Sequence, residues 1–166
     1  VGDTVLVNGA EYPTARTLRG WVRFRILNGS NARSYELQAS DKRTLYVVGS
    51  DGGLLAQPVA MQSLLVHAGE RFEILVDARD GKAFDFETLP VDQPIMRLPP
   101  FDNALPLVTI DPTGTDGKGT LPEALVGLPV LPASLPEVSQ RLTMNMFRDD
   151  EGMSQLMKAG LMKVKN

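Results

Sequence analysis

Residues 19–37 read RGWVRFRILNGSNARSYEL, and their alternation decides the fold class. From Trp21 to Leu27, Val22, Phe24 and Ile26 share one face, while Trp21, Arg23, Arg25 and Leu27 share the other. A period of two with one wholly apolar side is that of a strand laid on a core. Asn28-Gly29 follows, a pair that accepts positive φ and so turns the chain back. A second strand is predicted over Tyr35 to Ala39.

Working outward, further short apolar or alternating runs lie at Thr4 to Val7, Leu45 to Val48, Ser63 to His67, Arg71 to Asp77, Ala83 to Leu89 and Leu107 to Asp111. Asn8-Gly9, Asp51-Gly52-Gly53 and Asp80-Gly81 separate several of them with turn residues. So many short strands, with almost no helical periodicity before the last quarter, predict an all-β sandwich of two sheets. The body is assigned to residues 1–111. Residues 112–139 are rich in Gly and Pro, and Pro122, Pro129, Pro132 and Pro136 bar a long helix or a central strand, so this stretch reads as a linker packed on the domain. Residues 140–166 hold a last strand, Gln140 to Phe147, and a methionine-containing tail. Met153, Leu156, Met157, Leu161 and Val164 fall at helical spacing there, which predicts a short C-terminal helix or a disordered tail.

The chain has 166 residues, enough for one domain with a sizeable core. It is 43% hydrophobic and 22% charged, and no apolar run reaches the roughly 20 residues of a membrane-spanning helix. Its 17 basic and 20 acidic residues are scattered and leave a formal charge of −3, which gives no electrostatic ground for a nucleic-acid partner. Cysteine is absent, so disulfides, thiolate nucleophiles and thiolate metal ligands are excluded. Residues Val1 to Val7 carry no export-signal pattern, and a start at valine is the expectation for a fragment.

Three blocks carry a family resemblance: RGWVRFRILNGSNARSYEL at 19–37, YVVGSDGGLL at 46–55 and AGERFEILVD at 68–77. TVLVNGAEYP, FDFETLPV and PPFDNALPLVTI extend it over roughly residues 3–111. In this order they resemble the middle (second) cupredoxin-like domain of bacterial multicopper oxidases, nearest to the copper-efflux (cuprous) oxidases. The resemblance implies a Greek-key β-sandwich, a periplasmic location and flanking cupredoxin domains in the same parent chain as partners. It also implies that the first and third domains hold the copper, and that the parent oxidises cuprous copper or phenolic donors while reducing dioxygen to water, in copper tolerance. A copper-less homologue with a structural or cell-division role is the alternative.

Residue chemistry bears on the same division independently. Blue and trinuclear copper centres need several histidines and a thiolate. One His and no Cys are present, and no HxH or HCH motif occurs, so no catalytic and no cofactor-binding residue is assigned in this fragment, and copper is expected in the parent.

Other candidates have mostly structural readings. His67 alone makes no metal site, because such sites require three or four converging ligands. Arg16, Arg19, Arg23, Arg25 and Arg33 suit anion binding by residue type. Their alternation favours ion pairs on a sheet surface with carboxylates such as Glu36, Glu73 or Asp77. Asp51-Gly52-Gly53 reads as a tight turn near a neighbouring domain, since no helix follows to complete a phosphate loop. Asn28-Gly29-Ser30 matches a glycosylation acceptor that a bacterial origin makes irrelevant. The tail has softer chemistry: thioethers suit cuprous copper, and Met153 and Met157 stand one helical turn apart, near Asp149, Asp150 and Glu151. The resemblance makes them candidates for binding substrate copper, against the common use of methionine as an adaptable packing residue.

Overall fold

The computed structural model describes residues 2–93, 98–127 and 129. They belong to one compact unit that runs to Pro129. In chain order the strands are β1 (Leu6–Val7), β2 (Ala10–Glu11), β3 (Thr14–Arg16), β4 (Trp21–Leu27), β5 (Tyr35–Ala39), β6 (Leu45–Ser50), β7 (Gly53–Met61), β8 (Leu64–Val66), β9 (Arg71–Asp77), β10 (Phe84–Leu89) and β11 (Leu105–Asp111). There is no helix among the described residues. The predicted strand at Gln140 to Phe147, the predicted helix at Met153 to Val164, and Met153 and Met157 themselves lie outside the described residues.

The strands form a five-stranded sheet, ordered β3-β11-β10-β5-β8, a four-stranded sheet, ordered β4-β9-β6-β7, and the β1-β2 hairpin. Between β3 and β9 the chain passes repeatedly from one large sheet to the other, giving the expected all-β sandwich with Greek-key connections. Every pairing is antiparallel except that of β3 with β11.

Alternation explains the core. Leu37 and Ala39 of β5, Val66 of β8, Phe84 and Phe86 of β10, and Ile110 of β11 face Leu45 and Val47 of β6 and Ile74 and Val76 of β9. Ala39, Leu45, Ile74 and Val76 are wholly buried. Phe24 from the four-stranded sheet meets Phe86 from the five-stranded sheet edge to face at 5.0 Å, so the apolar face read for β4 is the one that fills the sandwich.

Three strands depart from expectation. β2 and β3 are two and three residues long, too short to show a period, and Ala15 is the only residue of β3 turned toward the core. β7 begins on Gly53 and contains Pro58, both of which argue against a strand. Among the described residues it is an edge of its sheet, where a missing amide donor costs little.

The Pro/Gly-rich segment starts as packed structure. Pro112 is fully buried. The Gly114 amide donates to the Thr17 carbonyl at 3.1 Å, and the Gly117 amide donates to the Arg19 carbonyl. A side chain at Gly117 would put a carbon 2.9 Å from that carbonyl oxygen, so the close approach requires glycine. Further along, the Leu125 amide donates to the Ala56 carbonyl of β7 at 2.9 Å.

Candidate functional site

Of the residues singled out in the sequence, the outer face of the four-stranded sheet brings together Arg23, Arg25 and Glu73. The β4-β9 register sets Trp21 opposite Asp77, Arg23 opposite Leu75, Arg25 opposite Glu73 and Leu27 opposite Arg71. Glu73 therefore lies within reach of two guanidinium groups. It pairs with Arg23 and, at 3.3 Å, with Arg25. Trp21 packs edge to face on Tyr46 of β6 at 5.5 Å, and both are half-buried. The face thus combines an aromatic and aliphatic centre with a paired-charge margin.

Of the carboxylates foreseen as partners for Arg23 and Arg25, only Glu73 serves. Glu36 belongs to the other sheet, where it accepts from the Ser63 hydroxyl at 2.7 Å. Asp77 turns to Arg79. The five arginines do not form one cluster either: Arg33 is buried, with its guanidinium stacked 3.5 Å above the Phe101 ring and donating to the Gly2 carbonyl at 3.3 Å. Arg19 pairs with Asp116 at 3.6 Å.

An open groove of about 460 Å³ lies at one end of this sheet, over Ile26 and Phe72, with Arg25, Arg71 and Asp51 at its rim. Asp51 accepts from the Arg71 amide at 3.0 Å and forms an ion pair with its Nε at 3.0 Å. The Asp51-Gly52-Gly53 stretch is the tight turn from β6 into β7. Its aspartate is used in this local pairing.

His67 is exposed, and its Nδ1 shares a hydrogen bond with the Ser34 hydroxyl at 2.9 Å. The Glu70 carboxylate accepts from the His67 amide at 2.6 Å, closing the turn before β9. These are the bonds of a structural turn.

Two features escaped the sequence reading. The first is Asn28, which is 5% exposed. Its Nδ2 donates to the carbonyls of Arg33 at 2.8 Å and Val66 at 3.0 Å, and its Oδ1 accepts from the Ser30 amide at 3.0 Å. Far from a surface acceptor, it ties the β4-β5 turn to β8. The second is a repeated Asp-x-Arg turn, at Asp41-Lys42-Arg43 and again at Asp77-Ala78-Arg79. In both, the aspartate accepts from the arginine amide, at 3.2 and 3.0 Å, and receives the guanidinium fork. The Arg43 and Arg79 forks hold the carboxyls of Asp41 and Asp77 below the usual carboxylate range. The repetition was the available signal.

Copper does not fit this donor set. Among the described residues no three His, Cys, Asp or Glu side chains converge on a point, and the whole sequence supplies one His and no Cys.

Comparison with known proteins assigns the family. A family model described as multicopper oxidase matches residues 1–88. The cell division protein FtsP of Yersinia pestis is 58% identical over 81 residues, and that of Escherichia coli K12 is 52% identical over 81 residues. Each alignment covers 49% of this chain and 17% of the relative, so the chain spans a small part of these proteins' length. Among solved structures, the laccase-like multicopper oxidase CueO of Ochrobactrum sp. superposes with a TM-score of 0.68 at 35% identity, covering 80% of this chain and 29% of that one. McoA of Aquifex aeolicus gives a TM-score of 0.71 at 31% identity, covering 89% and 33%. The sandwich is therefore cupredoxin-like, and the chain belongs to the multicopper oxidase family.

Proposed function

We propose that this chain is the central, bridging sandwich of a longer periplasmic protein, holding two flanking cupredoxin domains in place while carrying no copper itself. The donor set is the observation that carries this reading: a domain of a copper-enzyme family with one His and no Cys has architecture left as its contribution. The outer face of the four-stranded sheet, with Trp21, Tyr46 and the exposed Leu27, has the mixed apolar and charged character of an interface between domains of one chain. Residues 1–111 form the body in this reading, 112–139 the packed linker and 140–166 the lead into the next domain.

For the parent, the reading is an oxidase that couples oxidation of cuprous copper or phenolic donors to reduction of dioxygen to water. Its support is likeness to solved oxidases: CueO and McoA superpose on 80% and 89% of the chain at 35% and 31% identity. Met153 and Met157 are assigned to substrate copper. A second reading, a copper-less cell-division protein, has the 58% identity to FtsP in its favour.

Purified parent protein separates them. The oxidase reading expects bound copper, blue absorbance and oxygen consumption on adding cuprous copper. The cell-division reading expects none of these. Replacing Met153 and Met157 with Leu in an active parent is expected to slow cuprous oxidation with bound copper unchanged, and unaltered kinetics would remove both methionines from the substrate path.

A further inference from the structure

The sequence contains Asn-Gly at 8–9 and again at 28–29, and the fold treats the two pairs oppositely. We propose that Asn8 is a site of spontaneous modification, converting to aspartate and isoaspartate in the folded protein, while Asn28 is protected. In this reaction the Gly9 amide nitrogen gives its proton to water or hydroxide and attacks Cγ of Asn8. The new C–N bond closes a five-membered imide as the carboxamide C–N bond breaks and ammonia leaves. Water then adds to either imide carbonyl, giving aspartate or, through the side chain, isoaspartate. The net change is amide plus water to acid plus ammonia, with no oxidation. Glycine in second place favours it because no Cβ shields the attacking nitrogen.

The first pair is open to this chemistry. Asn8 and Gly9 are exposed, with φ of 52° and 83°, in the turn between β1 and β2. Among the described residues no side-chain hydrogen bond holds Asn8, and no atom beyond Gly9 and its two chain neighbours lies within 4 Å of where a Gly9 side chain would start. The hairpin consists of two residue pairs, Leu6 with Glu11 and Val7 with Ala10, so opening it disturbs little.

The second pair is closed to it. Three hydrogen bonds fix the Asn28 carboxamide. Its backbone is held too, the Asn28 amide donating to the Glu70 carbonyl at 3.1 Å and the Gly69 amide to the Asn28 carbonyl at 2.8 Å. Cγ swings toward the Gly29 nitrogen only when the three carboxamide bonds are lost, which retards the reaction by about a hundred-fold relative to Asn8.

Conversion adds one negative charge to a chain of formal charge −3, and isoaspartate also lengthens the backbone by one carbon in a two-residue turn. Val7, packed on the core beside that turn, is the contact this would loosen.

The test incubates the intact protein in mildly alkaline buffer, folded and in urea, and follows both peptides by mass spectrometry. In the folded protein, conversion at Asn8 is expected to run about a hundred-fold faster than at Asn28. In urea the two rates are expected to converge. Equal rates in the folded protein, or a ratio that persists unchanged in urea, would overturn the proposal. Asn8→Ser is expected to abolish the acidic forms seen on ion exchange of the folded protein, and their persistence in that variant would overturn it as well.

Discussion

The turns at Asp41-Lys42-Arg43 and Asp77-Ala78-Arg79 have the same local geometry and different surroundings. In each, the arginine Nη2 reaches the aspartate at 2.6 Å. The Arg43 side chain, however, is 11% exposed and the Arg79 side chain 63%. Arg43 lies over the buried Phe84 ring at 4.0 Å, donates to the Asp77 carbonyl at 2.7 Å and meets a second carboxylate, Asp80, at 3.3 Å. Arg79 has Trp21 at 5.5 Å. The first arginine also clamps the second turn through that carbonyl. An ion pair seen alone says little about its worth; what it excludes from water, and what else its donors satisfy, decides that.

The largest effect is therefore expected at Arg43. Arg43→Ala removes the partner of two carboxylates and a carbonyl and the lid of Phe84, a loss of about 2–4 kcal/mol in denaturant unfolding. Arg43→Lys is expected to recover less than half, because an ammonium cannot reproduce the fork. A loss at Arg43 no larger than at Arg79 would erase the contrast between the two turns.

Acid sharpens it next. The forks depress the carboxyls of Asp41 and Asp77 in the folded state below the ordinary aspartate value of 3.8. A depressed folded-state pKa contributes stability that is fully present above the unfolded-state value and is lost as pH falls through the folded-state one. Unfolding midpoints are thus expected to fall below about pH 4, and less steeply in Asp41→Asn, which costs about 1 kcal/mol at neutral pH. A midpoint profile for Asp41→Asn parallel to that of the parent sequence would contradict the assignment.

The smallest effects belong to the exposed pairs. Arg79→Ala is expected to move the unfolding midpoint far less than Arg43→Ala, and less again in salt, because the Arg79 side chain is 63% exposed. Arg25→Ala should cost less still, since its side chain is 81% exposed and Glu73 retains Arg23.

Much of this was legible in the chain. β4, β5 and β9 begin and end where alternation and turn residues place them, because each has one buried face and polar punctuation. The pairing of Glu73 with Arg23 and Arg25 follows from two such strands in register. What was hidden depended on distant residues. Arg43 looked like one charge among many until Phe84, on another strand, came under it. Asn28 reads from the sequence as a turn residue and no more, because its three partners, Ser30, Arg33 and Val66, are set by the path of the β4-β5 turn and the position of β8. β7 had no such signal: a strand that holds Pro58 is tolerated because β7 is an edge of its sheet among the described residues.

The place of β11 has a consequence for the order of folding. It lies between β3 and β10, parallel to the one and antiparallel to the other. The chain's third strand thus waits for its last described strand, a pairing of high sequence separation whose loop must close before any bond rewards it. During synthesis the four-stranded sheet can assemble once Asp77 has emerged. The five-stranded sheet stays divided until Leu105–Asp111 is free to enter, and until then β3 and β10 each present an open edge.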